Sequence, residues 1–190
     1  MYHSFLNLEI EFIFIRNNSK LNQMKMWKNN EYRYSETVKF IGKHIQKSEQ
    51  IIDLGVENVL SELIKANGFK IKNTSCDLDE YFGFMNYDVI TAFEIFEHLF
   101  APFNLLMVTK GKLVCSIPLN LWFAKAYWND NIKRDCHYHE FEERQFLALL
   151  DRTGWQVKDS LKIKYYDKWF GFRPILRMFC YRYLIIYAEK

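Results

Sequence analysis

The 190-residue chain is notable first for what it lacks. It has no CxxC pair. Its four cysteines, Cys76, Cys115, Cys136 and Cys180, stand far apart, which argues against the usual zinc and dithiol spacings. Cys115 lies within the apolar run Lys112 to Ile117 and reads as a buried, reduced thiol, so a reducing, cytoplasmic location is expected. There is no block of one charge: 26 Lys and Arg against 23 Asp and Glu leave +3, spread along the chain. Charge alone therefore predicts no nucleic-acid partner. No convincing secretory signal is present. The apolar stretch Phe5 to Ile15 is broken by Glu9 and Glu11 and is too short to span a bilayer. Internal repeats and low-complexity linkers are also missing, and the length fits one domain.

What is present is a large apolar share, 49%, with 18% aromatic residues, enough for a substantial core. Residues 1–30 fit poorly with the rest of the chain and are expected to be an extension, with Met24 or Met26 as alternative starts. The domain is expected over 31–190. Ser35 is placed to cap a helix through about His44, with Val38, Phe40, Ile41 and Ile45 as its apolar stripe. Ile51 to Leu54 predicts a first strand. Asn58 is placed to cap a helix ended by Gly68. Phe69 to Thr74 predicts a second strand, near an edge because Lys70 and Lys72 alternate with apolar residues. Asp88 to Phe93 is a third strand, Pro102 to Thr109 a helix, and Lys112 to Ile117 a fourth strand stopped by Pro118. A short helix is predicted over Asn120 to Trp128 and a stronger one over Phe141 to Arg152, closed by Gly154. Trp155 to Tyr165 and Tyr181 to Ala188 read as two last strands. They lack a clear amphipathic helix between them and are expected to pair antiparallel through the aromatic segment Trp169 to Met178.

Strands alternating with helices predict an α/β fold: a Rossmann-like, mostly parallel sheet with helices on both faces and an antiparallel C-terminal strand. In such sheets ligands bind beyond the carboxyl ends of the strands. The polar residues that close the first and third apolar runs, Asp53-Leu54-Gly55 and Phe93-Glu94-Ile95-Phe96-Glu97-His98, fall there.

These segments resemble the class I S-adenosylmethionine (SAM) dependent methyltransferases over roughly Tyr34 to Lys190. Asp53 and Gly55 match the start of that family's acid-and-glycine turn. Asp88 to Leu99 is similar to its central strand and following lip, Lys110 to Pro118 to its next strand, and His137-Tyr138-His139-Glu140-Phe141 through Trp155 to its closing histidine-helix-glycine-strand unit. The resemblance implies SAM as cofactor and methyl transfer to a small-molecule or sugar-like acceptor. It implies cofactor contacts from Asp53, Gly55, Glu57, Asp77, Phe93 and Glu94. His137 is implied as the base at the acceptor, with His98 a second candidate.

Two departures stand out. Glu57 and Val59 occupy positions where the family has glycine. A Glu57 carboxylate ~4 Å from the carboxylate of SAM would repel it by ~4 kcal/mol at an effective dielectric near 20, about a thousandfold in affinity. Turning outward, or pairing with a lysine, would remove that cost; contact with the ammonium of SAM would reverse it. Secondly, about eight residues separate Asp79 from Asp88, too few for a helix and another strand. The sheet is therefore expected to be shortened on that edge. Asp77 is the candidate ribose acid and Asp79 the fallback, against solvated turn acids for both.

Glu94, Glu97 and His98 have the spacing of one helical face. They read as a helix start favoured by its dipole rather than as a metal site, and no metal is expected. Trp122, Phe123, Tyr127 and Trp128 could cap an acceptor pocket. The mixture of Trp169, Phe170, Phe172, Arg173, Arg177, Phe179, Tyr181 and Arg182 suits a packed crossover, a membrane-surface patch or a homo-oligomer interface. The altered glycine turn also permits a non-catalytic binding or assembly subunit on the same fold. The turn lacks the glycine pattern of dinucleotide sites and phosphate loops.

Overall fold

The structure, a computed structural model, describes residues 30–80, 87–132, 135–164, 176 and 179–190. The chain divides into two units, with the boundary between Glu36 and Thr37. In the first, residues 30–36 are helical. An N-cap needs extended backbone at the first turn. Ser35 is itself helical, so it is not the cap that the sequence suggested.

The second unit opens with helix α1, residues 37–44, which buries Phe40 and Ile41. Strand β1, Gln50–Asp53, follows, then helix α2, Val59–Ala66, and strand β2, Lys70–Asn73. Strand β3 is Val89–Phe93, helix α3 Pro102–Val108 and strand β4 Lys112–Pro118. Helix α4, Glu143–Arg152, precedes strands β5, Gln156–Ile163, and β6, Tyr183–Glu189.

Local chemistry accounts for most helix boundaries. The Asn58 side chain accepts from the backbone N–H groups of Leu60 and Ser61, while the Ser61 hydroxyl accepts from the Asn58 N–H, a reciprocal cap at the start of α2. Gly68 and Gly154, at φ +87° and +88°, take the left-handed backbone that reverses the chain after α2 and α4. Pro102 opens α3, where its missing N–H costs nothing. Residues 120–128, by contrast, form no helix. Leu119 bridges Phe141, the Asn120 N–H donates to the Phe141 carbonyl, and Leu121 to Ala124 make a single turn. With those groups engaged across the chain, the aromatic spacing there does not build helical turns.

The sheet has six strands in the order β2-β1-β3-β4-β6-β5. β1 pairs parallel with β2 and β3, and β3 with β4; β6 runs antiparallel to both β4 and β5. β2 forms one edge, with Lys70 and Lys72 exposed and Ile71 buried. Alternate residues serve opposite faces. Ile52, Ile90, Leu113, Cys115 and Ile186 join Leu105 and Leu106 of α3 and Phe146 and Leu150 of α4 in one core. On the other face Tyr187 stacks on His44 of α1 with ring centroids 4.4 Å apart. Right-handed crossovers put α2 on that same face, because β1-α2-β2 moves across the sheet opposite to β3-α3-β4. Trp155, buried between α4 and β5, donates from Nε1 to the Leu106 carbonyl at 3.0 Å, tying α4 to α3. Cys115 is fully buried, and burial first, then the charge of Glu97, raises its thiol pKa. It is an inert core thiol. Among the described residues no helix is long and apolar enough to cross a membrane.

Candidate functional site

The chain leaves β1 toward β2 on one side, and β3 lies on the other. The adjoining tips of β1 and β3 are thus the topological switch point, where α/β sheets open a crevice. Asp53 ends β1 and Phe93 ends β3, so every cofactor residue expected from the sequence except Asp77 belongs to these tips or the turns after them.

Asp53 is 3% exposed. Its carboxyl accepts from the Thr91 hydroxyl at 2.6 Å and the Asn73 amide at 2.9 Å. It braces β3 and β2 against β1. Burial pushes its pKa up to about 7, although both hydrogen bonds pull the other way. Gly55 has φ +121°, and its N–H donates to the Thr74 hydroxyl at 2.8 Å. A Cβ there would lie 3.0 Å from Cδ1 of Ile95, across the gap between the two tips.

Glu57 is exposed and forms an ion pair with Lys65 of α2. That pairing lowers its carboxyl pKa. Of the directions open from the sequence, the structure takes the one in which a lysine neutralises the acid. Glu94 is the one non-glycine with positive φ, +56°, among the described residues. Such backbone costs on the order of 1 kcal/mol or more and gathers at ligand sites. The Glu94 N–H is held by the Ser116 carbonyl at 2.9 Å.

Asp77 is exposed in a turn, where its carboxylate accepts from the Asp79 N–H at 3.1 Å. Asp79, the fallback, accepts from the N–H groups of Phe100 and Ala101, each at 3.1 Å. Its carboxylate pins the segment after β3 to the segment after β2.

The two histidines expected at the acceptor, far apart in sequence, meet. The rings of His98 and His137 stand edge-on, with centroids 4.8 Å apart. His98 ends the short 3₁₀ turn Phe96–His98, and His137 precedes α4. The Glu97 carbonyl joins them by accepting from the N–H groups of Tyr138 at 2.8 Å and His139 at 3.2 Å. One ligand-type atom from each of Glu97, His98 and His137 lies within 4.8 Å of the others. Burial, more than the neighbouring His98 charge, lowers the His137 pKa, while Glu140 opposes the shift. Glu140 is absent from the residues expected by sequence; its place three residues after His137, on the approach to a helix, is the signal that marks it.

Aromatic rings surround this cluster. Tyr127 lies 5.3 Å from His137, and Tyr138 packs on Phe100 at 4.2 Å and edge-on to Trp128 at 5.9 Å. The four aromatics expected over the acceptor divide. Tyr127 and Trp128 line a cavity of about 360 Å³ with Lys125, Glu140 and Arg182. Trp122 lines a second of about 320 Å³ with Phe179 and Tyr181, and Phe123 meets the Trp122 ring edge-on at 5.3 Å. Trp169, Phe170, Phe172, Arg173 and Arg177 lie outside the described residues.

No family model matches the chain, and no curated protein matches its sequence. Solved structures do match. The 1,6-didemethyltoxoflavin-N1-methyltransferase of Burkholderia thailandensis, solved with 1,6-didemethyltoxoflavin and S-adenosylhomocysteine, is 16% identical, with a TM-score of 0.54, over 92% of this chain and 89% of that one. The geranyl diphosphate C-methyltransferase of Streptomyces coelicolor, solved with Mg²⁺, geranyl diphosphate and S-adenosyl-L-homocysteine, is 11% identical, with a TM-score of 0.56, over 82% and 78%. An S-adenosylmethionine-dependent methyltransferase of Clostridium acetobutylicum is 9% identical, with a TM-score of 0.53, over 89% and 98%. The strand order, the single antiparallel strand and these likenesses agree: the chain has the fold of the class I SAM-dependent methyltransferases.

Proposed function

We propose that the protein binds SAM at the β1 and β3 tips and methylates a small-molecule or sugar-like acceptor. The observation that carries this is the pairing of two unusual backbones, Gly55 at φ +121° and Glu94 at φ +56°, at the adjoining tips. Left-handed glycine lets a ligand approach backbone closely, and a strained acid is retained where its position matters. The Glu57–Lys65 pair answers the chief electrostatic objection, since the acid no longer faces a bound carboxylate alone. Two of the structural relatives carry S-adenosylhomocysteine, which further supports the cofactor.

When bound, SAM supplies an already activated methyl group. The chain's task is then largely alignment. Gly55 opens the turn, Phe93 and Glu94 form the lip, and Asp77 is the candidate ribose partner. Asp53 acts one step back, holding three strand tips in register. His98 and His137 face the acceptor among Tyr127, Tyr138 and Trp128.

Calorimetric titration with SAM and with S-adenosylhomocysteine tests the reading. Saturable binding of one equivalent is expected, and silence toward both at millimolar ligand would overturn it. That silence would favour a non-catalytic assembly subunit, for which the exposed Phe179 and Tyr181 beside Trp122 offer a surface. Glu94→Gly sharpens the test. Relief of the left-handed strain offsets the entropy gained by the unfolded chain, so stability is expected to stay within about 1 kcal/mol of wild type. Affinity for SAM is expected to fall about tenfold or more. Thermal melts and the same titration measure the two effects, and unchanged affinity would remove Glu94 from the site.

A further inference from the structure

We propose that Glu97, His98 and His137 form a binding site for one divalent first-row metal ion. By sequence alone the acids here read as a helix start. The fold changes that reading because it brings His137, from the approach to α4, onto the turn after β3.

The first argument is convergence. The ligand-type atoms of the three side chains lie within 4.8 Å of one another. Nitrogen and oxygen ligands sit about 2.1 Å from such an ion, so two ligands of one ion are at most about 4.2 Å apart. Ligands that are not trans stand closer, roughly 3.0–3.6 Å apart, and side-chain movement of about 1 Å at each residue closes the difference.

The second argument is tautomer and orientation. Nδ1 of His98 lies 3.0 Å from the Cys136 carbonyl oxygen. A carbonyl only accepts, so Nδ1 carries the hydrogen and Nε2 keeps its lone pair. Nδ1 of His137 lies 3.1 Å from Oε1 of Glu140, which assigns the same tautomer. An imidazole with one nitrogen donating to a carbonyl or carboxylate, and the other free to ligate, is the usual arrangement of metal-binding histidine. Here both histidines have it, with partners from the same short segment.

The third argument is burial and rigidity. Glu97 has 0% exposure. An ion bound there would meet a carboxylate shielded from water, where the attraction between opposite charges is stronger than at the surface. The Glu97 carbonyl, by accepting from Tyr138 and His139, fixes the two segments together before any ion binds.

Two imidazoles and one carboxylate leave coordination positions open. The aromatic wall of Tyr127, Tyr138 and Trp128 stands beside the cluster. The geometry therefore suits an acceptor that places a hydroxyl oxygen on the ion and a flat or apolar body against the rings. This acceptor preference rests on the methyl-transfer reading; the metal site does not.

The test uses the full chain, stripped with chelator and free of SAM, titrated with MnCl₂ and followed by calorimetry and by loss of the free-ion electron spin resonance signal. One equivalent is expected to bind with micromolar or tighter affinity. At about a hundredfold excess over Kd the Tm should rise by about 5 °C. Glu97→Gln and His137→Ala should each weaken binding at least tenfold, and Glu140→Gln, which orients His137 without ligating the ion, about tenfold. Asp159→Asn, whose side chain pairs with Lys43 and His44 elsewhere, should change nothing. His137 is partly exposed, so its variant keeps the test open even if Glu97→Gln does not fold. Absence of saturable binding up to 1 mM Mn²⁺, with Zn²⁺ equally silent, would overturn the proposal. So would Mn²⁺ affinity unchanged in His137→Ala. Because the readout needs no SAM, a protein that binds SAM but no metal defeats this inference alone, and one that binds metal but no SAM defeats only the cofactor reading.

Discussion

Between pH 4 and pH 7 the stability of this protein is expected to fall as pH rises, by about 4 kcal/mol in total, through Asp53 alone. The sign follows from where the proton sits. Unfolded, Asp53 ionises near its ordinary value of about 4. Folded, burial holds it protonated to about 7. Across that window the unfolded chain has lost the proton and the folded chain has kept it. Each pH unit then costs about 1.4 kcal/mol, and the contribution is whole below about pH 4 and gone above about pH 7. Depressed carboxylates such as Asp135 and Asp159, held down chiefly by Asn129 and by Lys43, act in the opposite sense but below the window. His137, lowered by burial, also opposes Asp53 below about pH 6.5. The decisive comparison is therefore Asp53→Asn, whose amide cannot ionise but can still bond Thr91 and Asn73. Urea midpoints at pH 5, 6, 7 and 8 should show the wild type losing ground to this variant as pH rises. Parallel curves would assign the slope to another group.

A methyl group added at position 55 is expected to remove SAM binding, with at least a hundredfold loss of affinity, and to destabilise the fold by about 1–3 kcal/mol. Two separate causes act. The φ of +121° is glycine backbone, so an alanine there is strained whatever room it has. The new Cβ would also lie 3.0 Å from Cδ1 of Ile95, in the gap between the β1 and β3 tips. The contact is with the end of a flexible side chain and relaxes cheaply; the backbone strain does not. Gly55→Ala combined with Ile95→Ala separates the two. If backbone dominates, the double variant remains weak in calorimetric titration and low in thermal melts. Recovery of SAM affinity in the double variant would mean that crowding alone was at work.

Much of this architecture was legible in the sequence because its signals are local. Asn58 caps α2 and Gly68 and Gly154 close helices through their own backbone, and the unbroken apolar runs of β1, β3 and β4 announce strands covered on both faces. Ser35 misled because capping residue types also occur inside helices. The expected helix over 120–128 failed in a segment tied at both ends to distant partners, the Asn120 N–H to Phe141 and the Tyr127 carbonyl to His137, which only the fold brings near. The site divides the same way. Gly55, Phe93 and Glu94 stood out from their places at strand ends. The direction of Glu57 depended on Lys65, two turns along α2, and the work of Asp53 depended on Asn73 and Thr91 from two other strands. The contact of His98 with His137 depended on the course of everything between them. Long-range placement of this kind leaves no local mark.

The strand order also bears on how the protein is made. β6 is the last of the six strands in sequence yet lies between β4 and β5. Until it emerges from the ribosome, β5 has no neighbour to pair with and β4 presents an open edge with Leu113, Cys115 and Ile117 beside it. The helices and the four parallel strands β1 to β4 are able to assemble during synthesis; the remaining third of the sheet must wait for Tyr183 to Glu189. A nascent chain stalled before Tyr183 would thus expose a sticky, half-built sheet, a natural substrate for holding chaperones.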